Sequence, residues 1–243
     1  MRIGIIGTGT IASAVVRGIA SDGHDITVSE RSAENAAALA GTFANVRVAD
    51  NPTVIARSDV IVLGLIAEVA PDILRALRFR PDQQVISLMA GIALSDLAPL
   101  VAPARALAVM LPFPGIAEGG SPILAQGDMA LLETLFGARN RIFALRDADE
   151  LSAYLCAQAV LSPVARMVET AGDWLGSRTD DPTQGEAFLR MLIASSLHNT
   201  PAAALIEALN TEGGYNQRLR QHMERAGTED ALRTGLNQLA RDR

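Results

Sequence analysis

A glycine-rich segment near the start of the chain has the residue types and the spacing that bind a dinucleotide. Gly7, Gly9 and Ala12 form the pattern G-x-G-x-x-A directly after a β-branched run and before an amphipathic helical stretch. The first glycine permits a tight turn, the second lets the backbone approach a diphosphate, and the alanine lets the helix pack closely on the strand. The N–H groups that start the helix then face the phosphates. We therefore predict that a dinucleotide cofactor is bound by Gly7, Thr8, Gly9, Thr10, Ile11 and Ala12.

The end of the second predicted strand, about twenty residues further on, is where such folds read the adenosine ribose. Its sequence is Ser29-Glu30-Arg31-Ser32. Glu30 suits the ribose hydroxyls of NAD, whereas Arg31 and Ser32 suit the 2′-phosphate of NADP. Glu30 pointing to solvent, or pairing with Arg31, is the alternative. We predict that all four residues contact the cofactor, with NADP favoured and NAD possible.

Composition narrows the classes of partner and of chemistry. The net charge is −6, and arginine accounts for all 21 basic residues, so no mechanism can use a lysine. An acidic chain is a poor partner for nucleic acid, whose phosphates need clustered cations. One cysteine and three separated histidines form no short metal-binding motif, so no metal is expected. The longest apolar run, residues 60–67, is less than half a membrane span. We expect a cytoplasmic protein that binds neither nucleic acid nor membrane.

Hydrophobic patterning divides the chain into two parts. The first part alternates short β-branched runs with helical stretches, which predicts βαβ units around a parallel sheet. The predicted strands are residues 2–6, 25–29, 46–49, 60–63, 84–88, 104–110, 121–125 and 141–145. After Asp147 no strand pattern follows, and acidic residues predict a helix that runs to about Ala171. The predicted fold is α/β, a Rossmann domain over residues 1–146 followed by an all-α dimerisation domain over residues 147–243.

Two segments of the second part, residues 151–168 and 187–209, are apolar around most of the helix. Such helices need burial on several sides, and a helical domain of this size cannot easily enclose both by itself. Packing against the same helices of a second copy would cover them. We predict a homodimer, with a self-contained helical bundle covered by the first domain as the alternative.

Five short segments spread along the chain carry a family pattern. They are residues 5–14, 58–63, 85–92 and 109–114 and the pair Gly213-Gly214. Within the third, residues 86–92 read I-S-L-M-A-G-I. Together these segments resemble the pyrroline-5-carboxylate reductase family, whose own segment is I-S-x-x-A-G-I, and the resemblance runs along nearly the whole chain.

The resemblance implies a Rossmann domain and a helical dimerisation domain that reduce the cyclic imine 1-pyrroline-5-carboxylate to proline with NADPH. It implies further cofactor contacts from Leu65, Ala90 and Gly91. It implies substrate contacts from Pro112, Phe113, Gly213, Gly214, Tyr215 and Asn216. An iminium already carries its proton, so such an enzyme mainly aligns the two carbons and excludes water. The catalytic residue is left open, with Ser162, His198, Tyr215 and Asn216 as candidates.

The chain departs from the family where the substrate is expected. Ile66-Ala67 replaces a lysine-proline pair, and Met110-Leu111-Pro112-Phe113-Pro114 replaces the family segment M-P-N-T-P, so the asparagine amide is lost. Residues 156–163 lack the small-residue character of the matching family segment. Residues 211–216 match the loop S-P-G-G-T-T that holds the substrate carboxylate, but Glu212 replaces its proline. These departures keep a divergent imine or small-carbonyl reductase, a hydroxyacid-type dehydrogenase with a non-lysine acid, and a non-catalytic NADP-binding protein open as alternatives.

Overall fold

A computed structural model describes residues 1–241, and the last two residues of the predicted helical domain, Asp242 and Arg243, lie outside them. Packing divides the chain into two compact units. The first is Met1–Leu151, and the second starts at Ser152. The sequence predicts the domain boundary near residue 146, five residues before this division.

The first unit contains one eight-stranded sheet in the order β3-β2-β1-β4-β5-β6-β7-β8. Its strands are β1 Arg2–Ile6, β2 Asp25–Ser29, β3 Val46–Ala49, β4 Val60–Leu63, β5 Gln84–Ser87, β6 Arg105–Pro112, β7 Pro122–Gly127 and β8 Arg141–Ala144. The first six strands are parallel and follow the doubly wound order 3-2-1-4-5-6. The Rossmann fold predicted from the alternation of β-branched and helical runs is therefore confirmed.

The parallel arrangement predicted for the sheet holds for the first six strands and is wrong for the last two, which run in the opposite direction. β7 pairs antiparallel with β6, and β8 then pairs parallel with β7. Only a four-residue 3₁₀ helix, Pro114–Ala117, and the positive-φ pair Gly119 and Gly120 connect β6 to β7. A parallel pairing needs a crossover of a dozen or more residues, so this short connection forces the chain to reverse.

Helices cover both faces of this sheet. The helices of the first unit are α1 Thr10–Ile19, α2 Ala33–Thr42, α3 Asn51–Arg57, α4 Ala70–Arg75, α5 Leu94–Val101 and α6 Met129–Leu132, the last continuing into the π-helical turn Glu133–Gly137. α1, α2 and α6 bury their apolar sides in one core layer, and α3, α4 and α5 do so in another. β1 supplies both layers, because Ile3 and Ile5 face one and Ile6 faces the other.

The second half of the chain is helical, with no strand among the residues described up to 241. Its helices are α7 Ala148–Ala157, α8 Leu161–Gly176, α9 Pro182–Asn199, α10 Ala202–Ala208, α11 Tyr215–Arg225 and α12 Thr228–Arg241. The predicted helix start is correct, because the Asp147 carboxylate accepts the Glu150 N–H at 2.8 Å. The predicted continuous helix is wrong, since a 3₁₀ turn at Gln158–Val160 separates α7 from α8 and helical structure extends to Gly176.

The helices of the second unit leave much of their apolar surface exposed. Trp174, Phe188, Met191, Leu192 and Leu197 are each about half exposed or more. The helical run Ala148–Gly176 is also long and apolar enough to cross a membrane by length and composition, and little of it is buried. A single helix of this kind is weak evidence for a membrane, because helices that pack against protein pass the same test.

Candidate functional site

The turn after β1 has a backbone that only glycine fits. Gly7 has φ +90°, a left-handed conformation that L side chains rarely adopt. A Cβ added there would lie 2.3 Å from the carbonyl oxygen of Gly64, which follows the neighbouring strand β4. The predicted role of Gly7 in a tight turn thus has a second cause, the closeness of the β1 and β4 backbones.

Gly9 leaves the start of α1 open to a ligand. It is the N-cap residue of α1, and no atom beyond its immediate neighbours lies within 4 Å of the position a Cβ would take. The first helical N–H groups have no carbonyl partner within the helix, and the first turn of α1 holds no acidic residue. A diphosphate could therefore approach the backbone here and accept from those N–H groups.

Ala12 packs beside the contact between Gly7 and Gly64. It is buried, and a Cβ added to Gly64 would lie 2.7 Å from the Ala12 Cβ and 2.8 Å from the Gly7 carbonyl oxygen. Gly7, Ala12 and Gly64 thus form a contact among β1, α1 and β4 in which no larger side chain fits. The sequence prediction did not include Gly64. The available signal was that this glycine directly follows a buried strand. We call residues 7–12 together with Gly64 the cofactor cradle.

Buried hydrogen bonds hold this turn in place. The Gly7 N–H donates to the Ser29 Oγ at 2.8 Å, and the Asn35 amide donates to the Thr8 carbonyl oxygen at 2.7 Å. Thr8 and Ser29 are both almost fully buried. Ser29, predicted as a cofactor contact, therefore lies where its side chain supports the glycine turn.

A cleft of about 650 Å³ lies at the adenosine end predicted for the site. Its lining is Glu30, Arg31, Asn51, Pro52, Val69, Asp72, Ile73, Ala76 and Leu77. Glu30 and Arg31 are exposed, and no ion pair joins them among residues 1–241. Asp72 pairs with Arg75 at 3.2 Å. The contributions of α3 and α4 to this cleft were not predicted, because they depend on the packing of distant segments.

Asp50 fixes the start of α3 beside this cleft. Its carboxylate accepts the Thr53 N–H at 2.8 Å. Hydrogen bonding from Thr53 lowers the pKa of Asp50, so the carboxylate stays ionised. Asn51 follows it directly and is thereby placed at the lip of the cleft.

The opposite end of the sheet edge is apolar. Three turns follow the adjacent strands β4, β5 and β6, and they comprise residues 64–67, 88–92 and 112–117. None of these residues has a polar side chain. We call these three turns the apolar edge. It contains the predicted contacts Leu65, Ala90, Gly91, Pro112 and Phe113, of which Ala90 and Gly91 are exposed and Pro112 is buried.

The predicted substrate loop of the second unit uses its glycine N–H groups internally. The Gly213 N–H donates to Gln217 Oε1 at 2.9 Å, and the Gly214 N–H donates to the Thr211 carbonyl oxygen at 3.0 Å. Neither N–H group of this glycine pair is therefore free to donate to a substrate carboxylate. The first two residues of α11 are Tyr215 and Asn216. Their N–H groups have no carbonyl partner within the helix, because the helix starts with them.

The four catalytic candidates all lie in the second unit, and the structure does not join them. Ser162 lines a groove between α8 and α9, and Asn216 lines a different cleft beside α11. His198 lies in the last turn of α9, and Tyr215 is 91% exposed. No hydrogen bond links any two of them in the described part of the chain. No group of three or more metal-ligating side chains occurs within residues 1–241.

Sequence comparisons match less than half of the chain. The family model described as NADP oxidoreductase coenzyme F420-dependent matches residues 2–91. A pyrroline-5-carboxylate reductase from Pseudomonas aeruginosa is 33% identical over 101 residues, which are 40% of this chain and 37% of that relative. The chain thus matches little more than a third of the relative's own length.

Structure comparisons match the whole chain. A 1-pyrroline-5-carboxylate reductase from Streptococcus pyogenes superposes with a TM-score of 0.85 at 22% identity, covering 100% of this chain and 97% of that one. A Plasmodium falciparum pyrroline carboxylate reductase with NADP bound gives 0.81 at 14% identity, covering 100% and 96%. The identities are low, so these two likenesses show the fold. The sequence likeness covers less than half of the chain, whereas the shared fold covers all of it.

Proposed function

We propose that this chain is an oxidoreductase that uses NADPH to reduce a carbon–nitrogen double bond, with 1-pyrroline-5-carboxylate, reduced to proline, as the family substrate. The observation that carries the proposal is the cofactor cradle. It lies where the strand order reverses between β1 and β4, the position at which doubly wound sheets bind their ligands. The open backbone at Gly9 and the start of α1 fit the diphosphate of a dinucleotide.

Reduction of a protonated imine requires no proton transfer from the protein's side chains. When bound, the reduced nicotinamide supplies a hydride. The cofactor cradle would hold the cofactor's diphosphate at Gly9 and the start of α1, and the hydride would add to the iminium carbon while the C=N π pair becomes the nitrogen lone pair. Because the iminium is already protonated, no side-chain acid is needed in this step. The apolar edge, with Phe113 and Ile66, keeps water from the reacting carbons, which favours hydride transfer.

The proposal includes a preference for NADP over NAD. Arg31 and Ser32 stand where a 2′-phosphate would be read, and Arg31 lines the adenosine cleft. Glu30 and Asp72 line the same cleft, so a 2′-phosphate would also meet two carboxylates. Arg31 must then supply most of the preference, and NADH should remain a usable cofactor.

We propose different roles for the two parts of the chain. Residues 1–146 bind the cofactor, and the helical residues from 147 onward form a homodimer and supply substrate contacts from residues 213–216. Exposed Phe188, Met191 and Leu192 on α9 support the dimer, because monomeric proteins rarely leave such large apolar patches uncovered. We further propose a cytoplasmic enzyme.

The loss of NADPH absorbance in the presence of 1-pyrroline-5-carboxylate tests the function, with NADH run in parallel. A Gly9→Ala variant serves as the control, because the added methyl contacts nothing in the free protein but obstructs the diphosphate. Turnover by the wild type that the variant loses supports the proposal. If NADPH raises the melting temperature and no 1-pyrroline-5-carboxylate is consumed, the chain binds NADPH but the proposed reaction is wrong.

A further inference from the structure

The loop before α11 is held at both ends by side chains of that helix. The Gly213 N–H donates to Gln217 Oε1 at 2.9 Å, and Gln217 Nε2 donates to Asn210 Oδ1 at 3.2 Å. Arg220 Nη2 donates to the same Asn210 oxygen at 2.7 Å. One amide oxygen at the start of the loop thus accepts from two α11 side chains, one of which also accepts from the end of the loop. We call Asn210, Gln217 and Arg220 the loop clamp.

Arg220 is itself fixed by an ion pair. Its Nη1 lies 2.6 Å from Glu224 Oε1, one turn further along α11. The two side chains are 34% and 36% exposed, whereas every other ion pair within residues 1–241 has a partner that is more than half exposed. Solvent screens a sheltered pair less. Because the guanidinium is planar and presents its donors in a fixed geometry, pairing through Nη1 aims Nη2 at Asn210.

The loop clamp exceeds what the start of a helix requires. Gln217 is the third residue of α11, and a glutamine at that position commonly reaches back to an N–H before the helix, as in a capping box. That role needs only the bond to Gly213. The bonds from Gln217 and Arg220 to Asn210 instead close the whole loop, which contains two adjacent glycines, one of them at φ +70°. A loop of this composition is otherwise free to adopt many conformations.

The closed loop determines which backbone donors remain for a ligand. The N–H groups of both glycines are used inside the loop. Those of Tyr215 and Asn216 have no carbonyl partner within α11. The substrate contacts proposed at residues 213–216 therefore depend on the shape of the loop in front of the helix, and the clamp maintains that shape.

We propose that Gln217 and Arg220 are positioning residues, which act through Asn210 to hold the substrate loop in its binding conformation before the substrate arrives. The inference rests on the proposed function, which assigns substrate contacts to residues 213–216, and it adds residues outside that segment. A loop that adopts this conformation only part of the time binds more weakly, in proportion to the fraction lost. Loss of the clamp should therefore raise the KM of the imine, while kcat, which reports on the bound complex, changes little.

Steady-state kinetics with 1-pyrroline-5-carboxylate and NADPH test the clamp. Gln217→Leu and Arg220→Met should each raise the KM of the imine by about tenfold, with kcat within about twofold of wild type and NADPH affinity unaltered. Both residues act through Asn210, so the double variant should lose no more than about the larger single effect. Arg225→Met is the control, because the Arg225 guanidinium donates to the Gln221 carbonyl oxygen of the same helix and should leave KM unchanged.

Melting temperatures separate this role from a general loss of structure. A variant that only folds less completely would lower the active fraction, and hence the apparent kcat, at an unchanged KM, and that result would overturn the inference. An unchanged KM in both folded variants would overturn it as well, and in either case turnover by the wild type leaves the proposed function intact. NADPH binding by the wild type without turnover of 1-pyrroline-5-carboxylate would overturn both.

Discussion

The two units differ in how they treat their apolar side chains. In the first, aliphatic residues from both faces of the sheet are buried in two continuous layers. In the second, Cys156 is the one buried apolar side chain among the residues whose burial the structure describes. All but three of the exposed large apolar side chains, Met1, Val48 and Ile66, belong to the second unit. The first unit therefore has the core of an independent domain, whereas the second has helices whose apolar faces require a covering surface.

The largest expected effect concerns that covering surface. Met191 is 74% exposed on α9, and Met191→Glu should separate the proposed dimer because two buried carboxylates would meet no partner. We expect the dimer dissociation constant to rise by at least about 100-fold, measured by light scattering after size exclusion. Val48→Glu, on the exposed edge strand β3, is the matched control and should leave the assembly unchanged. A wild-type monomer, or a chain that needs detergent to stay in solution, contradicts the prediction.

The next effect is on the stability of the first unit. Gly7→Ala places a methyl 2.3 Å from the Gly64 carbonyl oxygen at a φ of +90°, so the backbone must shift. The free energy of unfolding should fall by about 1–3 kcal/mol, measured by urea denaturation without cofactor. Gly23→Ala is the control, since Gly23 also has positive φ but nothing surrounds its Cβ position. Equal losses in the two variants would mean that the contact with Gly64 contributes nothing.

A third effect separates binding from folding within the same turn. Gly9→Ala should leave the melting temperature of the free protein unchanged, because its methyl meets no atom within 4 Å. It should weaken NADPH binding by about tenfold or more, since the methyl stands where the backbone approaches the diphosphate. Titration of NADPH fluorescence measures the affinity. Unaltered affinity would place the diphosphate elsewhere.

The smallest effect is electrostatic and lies at the other end of β1. A side-chain hydrogen bond and ion pair with Arg2 hold the pKa of Asp59 below its ordinary 3.8. A lowered folded pKa stabilises the protein above 3.8 and loses this contribution as the pH falls through the folded value. Asp59→Asn should therefore lower the melting temperature slightly at pH 7, and the difference should vanish in strong acid. A constant difference across that range would contradict the assignment, and the exposure of the pair keeps it small.

The sequence predicts the first unit more accurately than the second. The first four strands match residue by residue, because each is a short run rich in β-branched residues and is bounded by polar residues or glycine. The reversal at β7 was not predicted, since it depends on the length of a connection whose 3₁₀ turn has no strong sequence signal. The break between α7 and α8 also lacks a glycine or proline at Gln158–Val160 to mark it.

The candidate site likewise contains residues that the sequence predicts and residues that it does not. Gly7, Gly9 and Ala12 could be predicted because their roles are local to one turn and one helix. The approach of Gly64 and the contributions of α3 and α4 to the adenosine cleft depend on contacts between distant segments and could not be predicted. Gly213 and Gly214 offer no free N–H donors, because the Gly213 N–H donates to Gln217 and the Gly214 N–H donates to Thr211. Such local hydrogen bonds depend on the loop conformation, which the sequence alone did not predict.

The contact among Gly7, Ala12 and Gly64 has an evolutionary consequence. Two of its members are already the smallest amino acid, so no second substitution there can compensate for the enlargement of another. Lineages that descend from this sequence can therefore alter the cradle only at the expense of the fold. Ile66, by contrast, has solvent around it and can be exchanged freely. Change should accordingly accumulate at the sheet's apolar edge, while the cradle is inherited unaltered.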